Sequence, residues 1–335
     1  MMRRLEESRN PRGRAETAPK PGPVTRRALT GGSSASGSLR RGLFAAILAV
    51  FVAACGSGGD GGVDNTSRTL SDIAFGAATF VTVGKNGRIL TSSDGKTFTE
   101  NASGVTETLN GVVFGADGVF VVAGDGGVVL TSTDGVTWVR ESIATAASLQ
   151  GVAFGNGTFV VVGYQGTIAT SADGHTWVLQ ESGSMQALHR AVFGDGLFVA
   201  VGDEGIVLAS ADAVVWSEES SGTSDTLYAV SYGAGVYVLA GNGTVGHSTD
   251  GRSWVTRPEP SLFINDVAFA QDQFVLVGLG GTILTSSDGG VSLTPRDSLT
   301  SLGLRGIEFG ADTFVAVGSG GVVRVSPDAV TWSQP

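Results

Sequence analysis

A unit of about forty residues, written again and again, constrains this chain more than any other feature. The stretch from Leu109 to Trp138 reads LNGVVFGADGVFVVAGDGGVVLTSTDGVTW, and near copies recur from about residue 70 to the C-terminus. Two markers count the copies independently. An aromatic closes the first apolar run at Phe75, Phe114, Phe154, Phe193, Tyr232, Phe269 and Phe309. An acidic turn residue follows at Asp94, Asp134, Asp173, Asp212, Asp250, Asp288 and Asp328, spaced by 38 to 40 residues. Both give seven.

Each copy holds four short, Val-rich runs bounded by Gly, Asn or Asp. In the second copy, strand A is expected at Gly111 to Phe114, B at Val119 to Ala123, C at Val128 to Ser132, and D from Thr137. A period near forty with four strands indicates a radial β-propeller rather than a helical solenoid. Blades cover each other on both faces, so continuous apolar runs such as Phe159 to Gly163 replace strict alternation. No stretch here reads as a helix. Glycine, 52 of 335 residues, falls at turn positions such as Gly115, Gly118, Gly124 and Gly127, where a missing Cβ permits positive φ. The expected fold is all-β: a seven-bladed propeller over residues 69–335, with four antiparallel strands per blade.

Residues 1–39 are rich in Arg, Pro, Ser and Gly and lack apolar periodicity. They are read as disordered, or as lying upstream of the true start codon. Residues 40–55 carry Arg40 and Arg41 and then an apolar run, Gly42 to Ala54, too short to span a bilayer comfortably but suited to a signal peptide. The run ends Val52-Ala53-Ala54-Cys55-Gly56, which resembles the lipobox of bacterial lipoproteins. That resemblance implies lipidation at Cys55, the sole cysteine, with export and anchoring in the cell envelope at the outer membrane. An ordinary signal peptide with a chance cysteine is the plainer alternative. Residues 56–68 are a flexible Gly-rich tether. With its one cysteine spent on the anchor, the propeller is expected to have no disulfide.

Charge divides at the tether. Of 21 basic and 31 acidic residues, residues 1–55 hold 10 and 3, which leaves 11 and 28 and a net of −17 beyond. Such a surface argues against nucleic acid as a partner.

The turn Ser132-Thr133-Asp134-Gly135-Val136-Thr137-Trp138 resembles the Asp-box of sialidase-like propellers, although most copies are one residue shorter than that motif. A carboxylate at the head of the C–D turn accepts hydrogen bonds from the turn's own N–H groups, and the Trp packs between blades. The Trp recurs at Trp177, Trp216, Trp254 and Trp332, with Phe98 and Leu293 in the first and sixth copies. The seven Asp residues, one per blade, are therefore assigned a structural task and no catalytic one. By the same resemblance, residues 69–335 look like the photosystem II assembly-factor-like and sialidase-like group, which settles fold more than function.

For an enzyme, the resemblance points to a sialidase-like hydrolase or lyase at the central channel. Its Arg-Ile-Pro motif is missing, and only Arg190 and Arg305 stand where an arginine triad would be needed. His175, His189 and His247 show no metal or triad spacing. No catalytic residue, metal or cofactor is assigned. The internal alignment gives a better pointer. Strands alternate in direction, so the B–C and D–A loops share one face, and the position just before strand A varies: Ser71, Asn110, Gln150, His189, Tyr228, Asn265, Arg305. The next position includes Asp72, Arg190 and Asp266, and the B–C turns add Lys85, Asp125, Tyr164, Gln165, Asp203 and Glu204. The expectation is a monomeric, lipid-anchored scaffold that binds a protein or glycan on that face, with carbohydrate hydrolysis or elimination as the alternative.

Overall fold

The computed structural model describes residues 65–115 and 118–335. The extension, the signal, Cys55 and most of the tether lie outside the described residues. Asn65–Arg68, placed in the tether by its composition, forms a short 3-10 turn.

The described residues form a β-propeller. In the second repeat the strands are A (Leu109–Phe114), B (Phe120–Gly124), C (Val128–Ser132) and D (Val139–Glu141), joined A-B-C-D in one antiparallel sheet. Strand D starts two residues later than expected, because Thr137 and Trp138 belong to the turn: the Thr137 N–H donates to Asp134 Oδ1 at 2.8 Å and the Trp138 Nε1–H to the Gly135 carbonyl at 3.0 Å. The first four repeats have this four-stranded form.

The seven copies are hydrogen-bonded into six sheets rather than seven. The fifth and sixth share a six-stranded sheet, because the strand Val255–Ala270 runs unbroken from the outer edge of one to the inner edge of the next. The fifth repeat's B–C hairpin is likewise a single run, Val236–Ser248, its turn Gly241-Asn242-Gly243 one residue shorter than Gly124-Asp125-Gly126-Gly127. The seventh repeat has three strands, and a Val325–Ser333 bridge stands in for strand D.

The core lies between successive repeats. Val81, Val83 and Ile89 of the first pack on Leu109, Val112 and Phe120 of the second, all buried. The same interface closes the ring: Leu70, Ile73 and Phe80 meet Val315, Val317 and Val325 of the last repeat. Each such side chain contributes about 1.5–3 kcal/mol when fully buried, so closure by packing is sufficient without an exchanged strand. The strand-A aromatics fix the spacing. Each pairs with a strand-B ring at 4.5–4.8 Å and presses against the preceding repeat, where a Cβ on Gly155 would come within 2.0 Å of Phe193. Gly310 receives Phe75 in the same way, at 2.1 Å, across the closing seam.

Candidate functional site

Strand A begins every repeat with a β-bulge. In the first, Leu70 pairs with Gly84 and Asp72 with Val83, so Ser71 has no partner. The same skip falls on Asn110, Gln150, His189, Tyr228, Asn265 and Arg305. A bulge residue is released from the ladder and its side chain re-aimed. All seven line one cavity of about 420 Å³ at the mouth of the central channel, with Tyr164, Phe263, Leu279 and Arg190. A column that varies widely among the repeats thus converges in space.

The B–C turns are drawn against this mouth by backbone contact. The Asp203 N–H donates to the Ala187 carbonyl at 2.9 Å, and a Cβ on the preceding Gly202 would fall 1.9 Å from that same oxygen. Only glycine allows the turn so close to the chain entering strand A.

The rim has two unlike arcs. From the third repeat to the sixth, rings follow one another: Tyr164 edge-on to His189 at 6.4 Å, His189 to Tyr228 at 5.0 Å, and Tyr228 stacked on Phe263 at 5.1 Å. His189 Nε2 is fixed by Asp203 Oδ1 at 2.8 Å. Burial, with the nearby Asp203 charge adding to it, raises the Tyr228 phenol above its ordinary pKa, so its hydroxyl stays protonated. The other arc is polar. Asn110 Nδ2 donates to Asp125 Oδ1 and to the Leu149 carbonyl, both at 2.9 Å; Asn265 Nδ2 donates to the Leu304 carbonyl at 2.6 Å; and Gln150 Nε2 donates to Ser148 Oγ at 2.9 Å. Arg305 is exposed, and its Nε lies a long 3.5 Å from Ser319 Oγ.

Below the mouth the next column forms a floor. It reads Asp72, Gly111, Gly151, Arg190, Ala229, Asp266, Gly306, so three charged side chains share a layer otherwise lined by Gly and Ala. Arg190 crosses it, donating from Nη1 to Asp72 Oδ2 at 2.7 Å and from Nη2 to Asp72 Oδ1 at 3.0 Å, and pairing with Asp266 Oδ1. Each carboxylate also accepts a backbone N–H from the next repeat, Asp72 from Val112 and Asp266 from Ile307, both at 2.9 Å. The two carboxylates hold the guanidinium charged against its burial. Beneath is a chamber of about 240 Å³ that includes Glu308, whose carboxyl burial pushes up to about 8.

These contacts sort the expected residues. Ser71, Asn110, Gln150, His189, Tyr228, Asn265, Arg305 and Tyr164 face the mouth. Asp72 and Asp266 are buried and spent on Arg190 and on backbone amides, so they belong to the framework. Arg190 reaches the central cleft as expected but is already occupied by two carboxylates. Asp203 acts through His189, while Glu204 accepts from Gln186 Nε2 at 2.7 Å and faces an outer groove between the fourth and fifth repeats. Phe263 and Leu279 were not singled out from the sequence: Phe263 lies in the apolar run Leu262 to Ile264, and Leu279 is a lone apolar residue in a turn. The seven turn carboxylates lie on the opposite face and accept turn N–H groups, Asp134 from Val136 and Thr137 at 2.8 Å and Asp288, in a longer turn, from Ser292 at 2.8 Å. Among the described residues no group of three or more His, Cys, Asp or Glu is placed to hold a metal.

No family model matches this sequence, and no curated protein matches it. Solved structures do. A YCF48 bound to D1 peptide superposes with a TM-score of 0.64 at 19% identity, covering 79% of this chain and 93% of that one. YCF48 from Cyanidioschyzon merolae gives 0.60 at 21%, covering 77% and 95%. The WD40 β-propeller domain of Doa1 gives 0.65 at 13%, covering 81% and 94%. At these identities the likeness is one of fold.

Proposed function

We propose that this protein is a rigid binding scaffold whose working surface is the mouth formed by the B–C and D–A loops. The carrying observation is the convergence of the seven bulge residues, six different residue types among them, around one cavity. A ring packed in this way loses little freedom when it binds, so contacts of modest strength can select a partner. That a propeller of this fold, YCF48, is known with a bound peptide supports a protein partner. The lipobox-like ending at Cys55 supports export and a lipid anchor in the cell envelope, at the outer membrane, with the tether holding the ring off the surface.

The test is capture of envelope proteins by wild-type chain and by Tyr228→Ala and Arg305→Ala variants. Both substitutions lie in the mouth, and each should reduce recovery of the same partner at least tenfold. Undiminished recovery by both would remove the mouth from the account. Incorporation of labelled palmitate, lost in Cys55→Ser, checks the anchor; equal labelling of the variant would refute it.

A further inference from the structure

The two arcs of the mouth differ in chemistry, and together they describe a ligand. Tyr164 is 47% exposed and Leu279 44%, at the ends of a row whose middle rings pack on each other. Tyr228 and Phe263 spend their faces on one another, 27° from parallel. What remains is edges and an aliphatic end, which suit the ring or branched chain of an amino acid better than the flat face of a sugar.

In the next repeat after Leu279 stands Arg305. Arg88, Arg140, Arg252 and Arg257 each pair with a glutamate, and Arg190 is closed off by Asp72 and Asp266. Arg305, exposed at the rim, pairs with no carboxylate among the described residues, although acids far outnumber bases in this chain. Among the residues that line the cavity it is the available cation. Two amides of the same rim are also oriented. Asn110 and Asn265 give their Nδ2 hydrogens to a carboxylate and to backbone carbonyls, partners that only accept, so the amide oxygens are the ends left for a ligand. Those oxygens call for donors such as peptide N–H groups.

Resting on the reading of the mouth as the working surface, we infer that it takes an extended peptide segment carrying an aromatic or branched apolar side chain next to an acidic one. The apolar side chain lies along the Tyr164–Leu279 arc, the carboxylate pairs with Arg305, and backbone N–H groups meet Asn110 and Asn265. The Arg190 floor stops it from threading the channel.

An array of random heptapeptides probed with the whole protein tests this. The expected result is enrichment of sequences with an acidic residue within two positions of Phe, Tyr, Trp, Leu or Ile. Arg305→Gln should abolish the acidic preference and keep the apolar one, Arg305→Lys should restore it in part, and Tyr228→Ala should weaken the apolar preference about tenfold. Mouth-dependent binding with no acidic preference overturns this inference while leaving the mouth as the site. Enrichment untouched by Arg305→Gln and Tyr228→Ala overturns both. So does an array with no enriched peptide when no glycan of a parallel array binds through the mouth either. Mouth-dependent binding to a parallel glycan array, with no peptide enriched, overturns the peptide and keeps the mouth.

Discussion

Trp254 differs from its repeat equivalents in one atom. Trp138, Trp177, Trp216 and Trp332 each donate the indole N–H to the carbonyl three residues back, at 2.9–3.1 Å. Trp254 Nε1 is buried with no partner. A buried unsatisfied donor costs about 1–3 kcal/mol, so the two residue types of the same motif should respond unequally to loss of that N–H. Trp138→Phe removes a made hydrogen bond together with apolar area, whereas Trp254→Phe removes the area and relieves an orphan. Chemical denaturation should show Trp254→Phe to be the milder by about 1 kcal/mol or more; equal losses would mean that the Trp254 N–H is satisfied after all. Repeat alignment finds all five indoles, but it cannot see which one lost its acceptor geometry. The seven mouth positions were legible for the opposite reason, since a column holding six residue types in seven copies of a repeat stands out without coordinates.

The C–D turn is the element in which local chemistry and stability meet. Two backbone N–H groups and a serine hydroxyl converge on each carboxylate of Asp94, Asp134 and Asp173, holding them at about 2, below the ordinary 3.8; Ser292 and Ser286 do the same for Asp288. A carboxylate whose pKa is lowered by folding stabilises the fold above its unfolded value, and that contribution is lost as the pH falls through the folded one. Below about pH 4, where Glu308 is protonated folded or unfolded, the melting temperature should fall steadily toward pH 2 as the turns protonate together; a flat profile across that window would contradict the role of these turns. The turns could be read from seven Asp residues in register. Other features of the same elements could not. A bulge leaves the sequence looking like ordinary strand, so the release of Ser71 or Arg305 from the ladder is visible only in pairing. The merging of the fifth and sixth sheets depends on a strand, Val255–Ala270, that contains Pro258 and Pro260, residues that argue against a strand when read alone.

Across the whole molecule, Arg190 ties the fourth repeat to the first and sixth through partners that lie 118 and 76 positions away in sequence. No periodicity foretells such a contact; it appears only once the ring has closed and the small residues Gly111, Gly151, Ala229 and Gly306 have left room for it. Its removal should act on stability first. Arg190→Met leaves two buried carboxylates without a counter-charge, a loss of about 3–5 kcal/mol, and adding Asp72→Asn and Asp266→Asn should recover much of it. A single variant that unfolds at the wild-type urea midpoint would show the strut to be idle. This also bars Arg190 as a probe of binding, because lost capture and a loosened ring would look alike. The working face is tested most directly by photocrosslinking in intact cells, with p-benzoylphenylalanine placed at Leu279 on the mouth and at Val136 on the opposite face, both exposed. The account predicts one discrete adduct from Leu279 and none from Val136; an adduct from Val136 alone, or the same adduct from both, would contradict it.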